Sequence, residues 1–242
     1  MTNQDAVPVR QAATVLLVRD NPFAVLMVER HAKAFHGSAM VFPGGVVDKP
    51  DWSPDWLPYL EGAQGLADAE RASRIGACRE LFEEVAILLA TIPAHNVNPA
   101  LDFFEMIRTS GGKLRLDALH PFAHWVTPVG VPKRFDTRFY ICHEPEGHDA
   151  VCDGVETVRL EWVAAATALE LPLSGPRMVA FPTKLNLQRL AESASAQEAI
   201  DAARARPAFI TQPVMVQTDD GPRVRIPAEA GYAVTEGLPI TH

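Results

Sequence analysis

The sequence predicts an α+β fold, a mixed sheet sandwiched between helices in an α/β/α arrangement. Three observations lead there. Two short β-type runs, ATVLLV at 13–18 and AVLMVE at 24–29, flank the turn sequence Asp20-Asn21-Pro22. An apolar stripe with helical periodicity then runs from Ala67 to Leu89, carried by Cys78, Leu81, Phe82, Val85, Leu88 and Leu89. Beyond it, further β runs alternate with helical stretches.

In chain order, the first two runs read as a hairpin. A third run, Ala39 to Phe42, leads into Pro43-Gly44-Gly45. The segment from Lys49 to Gly65 holds three prolines and two tryptophans and reads as an inserted excursion. Placed between the glycine turn and the helix, it is expected to pack beside the mouth of a site and shape access to it. Pro93 stops the long helix, and Pro99 to Thr109 forms another, closed by Gly111-Gly112. Strands are expected at His124–Thr127, Thr137–Cys142 and Thr157–Val163, with a helix over Ala164–Leu169. Pro176 to Ala203 is predominantly helical, and Asp219-Asp220-Gly221 turns a last hairpin between Pro213–Gln217 and Arg223–Pro227. The whole reads as one domain over 1–242, with a core at about 10–172 and a C-terminal extension, helical and then hairpin, at about 173–242.

Composition narrows the function. Of the 242 residues 48% are hydrophobic, enough to build a core. No apolar stretch approaches the ~20 residues of a membrane span, and the polar N-terminus lacks a secretory apolar segment. The net charge of −8 repels nucleic-acid backbone, so a small molecule is the expected partner. A homodimer is left open. Three cysteines without a close pair, Cys78, Cys142 and Cys152, argue against a disulfide scaffold and for a reducing, cytoplasmic setting. Cys142, His143, His148 and Cys152 match no common zinc spacing, and Cys78 sits on the apolar side of its helix as a core residue.

The chemistry concentrates in Arg79-Glu80-Leu81-Phe82-Glu83-Glu84. Glu80, Glu83 and Glu84 stand at i, i+3 and i+4 and share one helix face. Three neighbouring carboxylates repel unless cations sit among them, and hard divalent cations prefer oxygen ligands. Taken alone, the trio fits a solvated acidic face better than a cation site, since Glu is a good helix former. With the upstream glycines the chain resembles the Nudix hydrolase family, whose signature is G-x5-E-x7-R-E-U-x-E-E-x-G-U, U being a bulky aliphatic. Gly45, Arg79, Glu80, Leu81, Glu83, Glu84 and Ile87 match in order. Gly45 and Arg79 are 34 positions apart where the signature has 14, so 20 extra residues interrupt it. The isolated signature Glu has no clear counterpart: counting forward from Gly45 reaches Asp51, counting back from Arg79 reaches Arg71, and Glu70 beside it is left unassigned. Ala86 replaces the late glycine.

Such an insertion resembles the branch of peroxisomal coenzyme A diphosphatases and their bacterial relatives. VFPGGVVD at 41–48, WVTP at 125–128 and PKRFDTRF at 132–139 add to the likeness, and Arg30, Gly37 and Phe42 carry part of a coenzyme A motif. The resemblance implies hydrolysis of a diphosphate linkage in a nucleoside diphosphate derivative, with coenzyme A or an acyl-coenzyme A as leading substrate. ADP-ribose or NADH stands as the alternative, and a non-catalytic nucleotide-sensing module as the rival of another class. It implies Mg²⁺ or Mn²⁺ held by Glu80, Glu83, Glu84 and the Gly44 carbonyl, with Arg79 orienting the carboxylates and Glu83 among the catalytic groups. It also implies a loop carboxylate ahead of a late strand. Glu156, six residues before Trp162, is the choice, with Asp153 and Glu144 in reserve. Arg30, Arg134 and Arg138, with Lys133, are the cationic candidates for substrate phosphates. Arg134, Asp136 and Arg138 share a strand face, and a surface ion-pair cluster explains them equally well. Phe42, Phe35 and Trp125 are the aromatic candidates for stacking on a base, against an ordinary core role.

Overall fold

The computed structural model describes residues 7–31, 39–92, 97–98, 101–147, 149–172 and 177–238. Elements follow in chain order. They begin with β1 (Val9–Arg19), β2 (Ala24–Arg30), β3 (Met40–Val41), β4 (Gly44–Val46), β5 (Leu60–Glu61), α1 (Asp68–Val85), α2 (Phe103–Ser110), β6 (Leu114–Arg115), β7 (His120–Val126), β8 (Arg134–His143) and β9 (Thr157–Val163). They continue with α3 (Ala165–Ala168), α4 (Phe181–Leu190), α5 (Ala196–Ala205), β10 (Ile210–Thr211), β11 (Val214–Thr218), β12 (Gly221–Arg225) and β13 (Glu236–Gly237). Pro93, Phe35, Gly37 and His148, used in the sequence reading, lie outside the described residues. Among the described residues no helix is long and apolar enough to cross a membrane.

The expected mixed sheet is present, with eight strands in the order β10-β7-β8-β1-β2-β3 and with β4 added to β1 and β9 to β2. β1 runs parallel to β8, while β7–β8, β1–β2 and β2–β9 are antiparallel. β1 and β2 pair only at the turn, Val18 opposite Val25 and Arg19 opposite Ala24. Farther down, β1 turns to β4, placing Thr14 opposite Gly44 and Ala13 opposite Gly45. The two strands splay, and the glycine strand fills the gap.

Period-2 alternation gives the sheet two apolar faces. On one, Ala13, Val15, Leu17, Tyr140 and Cys142 pack with α1, α2 and the insertion. On the other, Leu16, Val18, Phe139 and Ile141 pack with the helices of the C-terminal extension. That extension is built into the fold. β10 adds a strand beside β7. From α4, Arg189 donates to the carbonyls of Ala230 and Gly231 and lies over the Tyr232 ring. The Tyr232 hydroxyl donates to Asn186 and accepts from the Trp125 indole. The predominantly helical C-terminal stretch consists of two helices, the second capped at its start by Ser195, which accepts from the Glu198 amide at 3.2 Å. The Asp219-Asp220 hairpin is present, with Thr218 opposite Gly221.

The insertion packs largely on the first face. Trp56 stacks edge-on to Phe104 with ring centroids 4.7 Å apart, its indole donates to the Pro50 carbonyl, and β5 pairs with β6.

The long helix ends earlier than its periodicity suggests. α1 stops at Val85, and Leu88 and Leu89 reach the same core from the following segment. Ala86 is the reason: it adopts φ 59°, ψ 18°, and its amide closes on the Phe82 carbonyl. This is the left-handed helix-ending conformation that suits glycine and costs an L-residue roughly 1–2 kcal/mol. Set against glycine's greater chain entropy, Ala86→Gly is expected to stabilise the protein by about 0.5–1 kcal/mol. Urea unfolding would show a raised midpoint at unchanged slope. A lowered midpoint would contradict the assignment of strain to this residue.

Candidate active site

Arg79 is the node of the site. Its Nε and Nη2 donate to the two oxygens of Asp51 at 3.1 and 3.0 Å. Nη2 also donates to the Val46 carbonyl at 2.8 Å. Nη1 donates to Glu80 and to Glu83, both at 2.8 Å. All five donors of the guanidinium are therefore placed. Burial opposes the charge, but Asp51, Glu80 and Glu83 together outweigh it and hold the Arg79 pKa above its ordinary value.

Asp51 thus fills the place that sequence counting left open. It is 1% exposed and also accepts from the Asp48 amide at 2.9 Å. Its room comes from α1: a Cβ on Gly76 would sit 3.0 Å from an Asp51 oxygen. Glu70, the other neighbour in the count, pairs instead with Arg74 and Arg138.

The glycine strand lies against the carboxylate face. The Gly44 amide donates to Glu84 at 2.9 Å; Gly44 has φ 151° and a Cβ there would run into the Ala13 carbonyl oxygen, so that position requires glycine, while a Cβ on Gly45 would displace the Glu80 carboxylate. Glu80 is 9% exposed and Glu84 4%. Burial pushes Glu80 up to about 7, countered by Arg79 and reinforced by Glu83 and Glu156. Burial likewise pushes Glu84 up to about 8, countered by the Gly44 amide and Arg30 and reinforced by Glu80 and Glu156. Arg30 and Glu156 therefore both act electrostatically on the Glu84 site.

Glu156 is carried by a loop docked on the end of α1. The Val151 and Asp153 amides donate to the carbonyls of Val85 and Glu84, and the Glu156 carbonyl accepts from the His31 amide just past Arg30. Burial works against ionised Asp153, yet bonds from the amides of Glu156 and Thr157 and the Thr157 hydroxyl lower its pKa. Those bonds commit Asp153 to shaping the loop.

Would these residues suit a divalent cation? The donors are oxygens of the hard type, and two of the carboxylates are buried beside like charges, which favours a cation among them. Among the described residues no three His, Cys, Asp or Glu side chains are already drawn together as a cage. Glu83 is turned onto Arg79 and Glu84 onto the Gly44 amide. Each carboxylate nevertheless has a second oxygen, and Glu83 is half-exposed, so it can swing without unfolding anything. The donor set fits.

Beside the carboxylates lies a cavity of about 400 Å³. Arg30, Gly44 and Gly45 border it. Its walls are Thr14 of β1, Phe135, Thr137 and Phe139 of β8, Trp125 and Lys133, closed by Phe181, Met215, Val224 and Leu238 of the C-terminal extension. Strand parity corrects two expectations here. Arg134 and Arg138 point to the opposite face of β8 from the cavity-lining residues. Arg134 donates to the Thr127 carbonyl, and Arg138 pairs with Glu70 on α1. Phe42, proposed to touch substrate, is 2% exposed and packed in the second core. Of the described candidates for substrate contact, Arg30, Lys133 and Trp125 border the cavity, and Phe42, Arg134 and Arg138 do not. No residue of the 49–65 insertion lines it; the segment lies instead beside the carboxylates, where Asp51 shares Arg79 with Glu83. The walls from the extension were missed in the sequence, where the hairpin carried no motif.

No family model matches the chain. Curated proteins do. Acyl-coenzyme A diphosphatase NUDT19 of Gallus gallus is 27% identical across 77% of this chain and 69% of that protein. Its Homo sapiens namesake is 28% identical across 72% and 62%. A putative nudix hydrolase 7 of Caenorhabditis elegans is 28% identical across 76% and 61%. The chain thus spans 61% to 69% of the length of these relatives. Among solved structures, a NUDIX hydrolase from Alicyclobacillus acidocaldarius superposes with a TM-score of 0.67 at 24% identity, covering 84% of this chain and all of that one. The resemblance to Nudix hydrolases holds in sequence and in fold.

Two outcomes follow for the ion-free protein. Asp51→Asn leaves Arg79 without its bidentate partner and should cost about 3 kcal/mol of stability; a change below about 1 kcal/mol in urea unfolding would remove Asp51 from its central place. Glu80 and Glu84, raised from 4.5 to about 7 and 8, keep protons in the folded state that the unfolded chain has lost. Their contribution to stability is therefore fully present below about pH 4.5 and is lost progressively as pH rises from there through about 7 and 8. In EDTA the Tm should fall from roughly pH 5 to 8, and Mg²⁺ should reduce the fall. A Tm that rises over that range would contradict the burial of these two carboxylates.

Proposed function

We propose that the chain is a metal-dependent Nudix-type diphosphatase that cleaves the diphosphate linkage of a nucleoside diphosphate derivative, foremost coenzyme A or an acyl-coenzyme A. One juxtaposition carries this reading: buried carboxylates on α1 and the Gly44-Gly45 strand meet at one end of an apolar cavity. Mg²⁺ or Mn²⁺ held by Glu80, Glu83 and Glu84, with the Gly44 carbonyl, would neutralise charge on the diphosphate and promote ionisation of water. Arg79 keeps Glu80 and Glu83 in place, and Arg30 offers a guanidinium toward the diphosphate oxygens. Glu156, on the loop facing Glu84, accepts the proton as a water oxygen bonds to phosphorus and the bridging P–O bond breaks, leaving two monophosphate products.

The NUDT19 relatives are named for acyl-coenzyme A, and the cavity favours a substrate with an apolar half. ADP-ribose or NADH would present a second polar, nucleoside-like half to those walls. A sensing module without chemistry would need the fold but not the carboxylates.

Product analysis after incubation with a panel of coenzyme A esters, ADP-ribose and NADH, with Mg²⁺ or Mn²⁺, tests the reading. Cleavage of coenzyme A compounds to 3′,5′-ADP and a phosphopantetheine is expected. Glu83→Gln and Glu84→Gln should each lower turnover by ~10² or more, and near wild-type activity in either would undo the site assignment. Glu156→Gln should lower kcat more than it alters KM. Unchanged turnover there would pass the proton-accepting role to Glu144.

A further inference from the structure

We infer that the C-terminal three-stranded sheet is the acyl-recognition wall of the site, with Met215, Val224 and Leu238 setting which apolar groups the enzyme accepts. This rests on the coenzyme A ester reading above and names the residues that would make it selective. Among the described residues β11, β12 and β13 pair only with one another, yet Met215 and Val224 from this sheet and Leu238 just after it close the cavity that begins at Gly44, Gly45 and Arg30. The occupant must therefore reach from a diphosphate into an apolar space.

The chemistry of the walls points to an aliphatic chain over a base. Apart from Arg30 and Lys133, the polar side chains of the lining are threonines, too few to pair with a base edge. Trp125, the indole on the wall, is 4% exposed and has its N–H engaged by Tyr232. At about 30 Å³ per water-sized group, a volume of about 400 Å³ holds on the order of ten methylene-sized groups. Met215 and Leu238 are partly solvent-exposed at 45% and 50%. A bound chain would remove them from water, and each methylene so buried strengthens binding. Methionine also adapts its shape to chains of different length. The wall is held in place from behind, because Arg189 and Asn186 fasten the segment at Ala230–Tyr232 to α4.

The test is calorimetric titration of the full chain, in EDTA so that no ligand is consumed, with octanoyl-coenzyme A, coenzyme A and 3′,5′-ADP. Octanoyl-coenzyme A should bind at least ~10-fold more tightly than coenzyme A. Met215→Trp, which fills the cavity, and Leu238→Asp, which puts charge at its edge, should each bring the two affinities within about threefold. Both positions are partly exposed, so folding should survive, and the thermal transition of each variant checks this. 3′,5′-ADP should bind the variants as it binds the wild type. Equal affinities for the two coenzyme A ligands in the wild type, no binding of octanoyl-coenzyme A, or a preference kept by both variants would overturn the inference. So would weakened 3′,5′-ADP binding in place of a lost acyl preference, which would assign the cavity to the nucleotide. Hydrolysis of coenzyme A esters with Mg²⁺ is measured separately: its absence would defeat the diphosphatase reading, whereas hydrolysis without an acyl preference in binding would defeat only the wall.

Discussion

The bidentate pair between Asp51 and Arg79 is the interaction on which the site depends. Arg79 is nearly buried, and a guanidinium removed from water must have its donors and its charge matched. Asp51 meets most of that requirement, which leaves Nη1 free to hold Glu80 and Glu83. The pair also ties three separate pieces of chain together: the start of the insertion, the Val46 carbonyl at the end of the glycine strand, and the middle of α1. Gly76 and Gly45 are small because this convergence leaves no room. At Gly76 a side chain would crowd Asp51, and at Gly45 it would push the Glu80 carboxylate away from Arg79.

Around that node, polar and apolar functions fall on different parts of the sheet. α1 lies on one face with the carboxylates at its edge, and the cavity opens on the other. The splay of β1 from β2 joins the two, because β4 enters the gap with one side toward Glu80 and Glu84 and the other toward the cavity. A substrate with a charged centre and an apolar arm matches this division. The C-terminal extension completes it by supplying a wall that the sheet alone lacks.

Much of this was legible in the sequence, and the failures have physical causes. Strand positions followed from alternation, and the carboxylate face from i, i+3, i+4 spacing. Helix α1 was overextended because Leu88 and Leu89 keep the apolar rhythm after Ala86 has turned the backbone. Arg134 and Arg138 were correctly placed on one face of β8, but parity does not say which face meets the cavity. Phe42 stands just before the glycine strand in sequence yet points into the core, since adjacency along the chain does not fix the direction of a side chain. Asp51 was reachable: the forward count from Gly45 lands on it, and a glycine in mid-helix at 76 hints at a close approach. The wall formed by Met215, Val224 and Leu238 was not legible, because an apolar hairpin residue carries no mark of what it will face after the chain has folded back.

The account rests on Glu80, Glu83 and Glu84 forming a cation site against the glycine strand, and Mn²⁺ titration followed by electron paramagnetic resonance tests this directly. Wild-type protein should remove the free Mn²⁺ signal in a saturable way, and Glu84→Gln should weaken that binding by about tenfold or more. Equal Mn²⁺ binding by the wild type and Glu84→Gln, or none by the wild type, would contradict it.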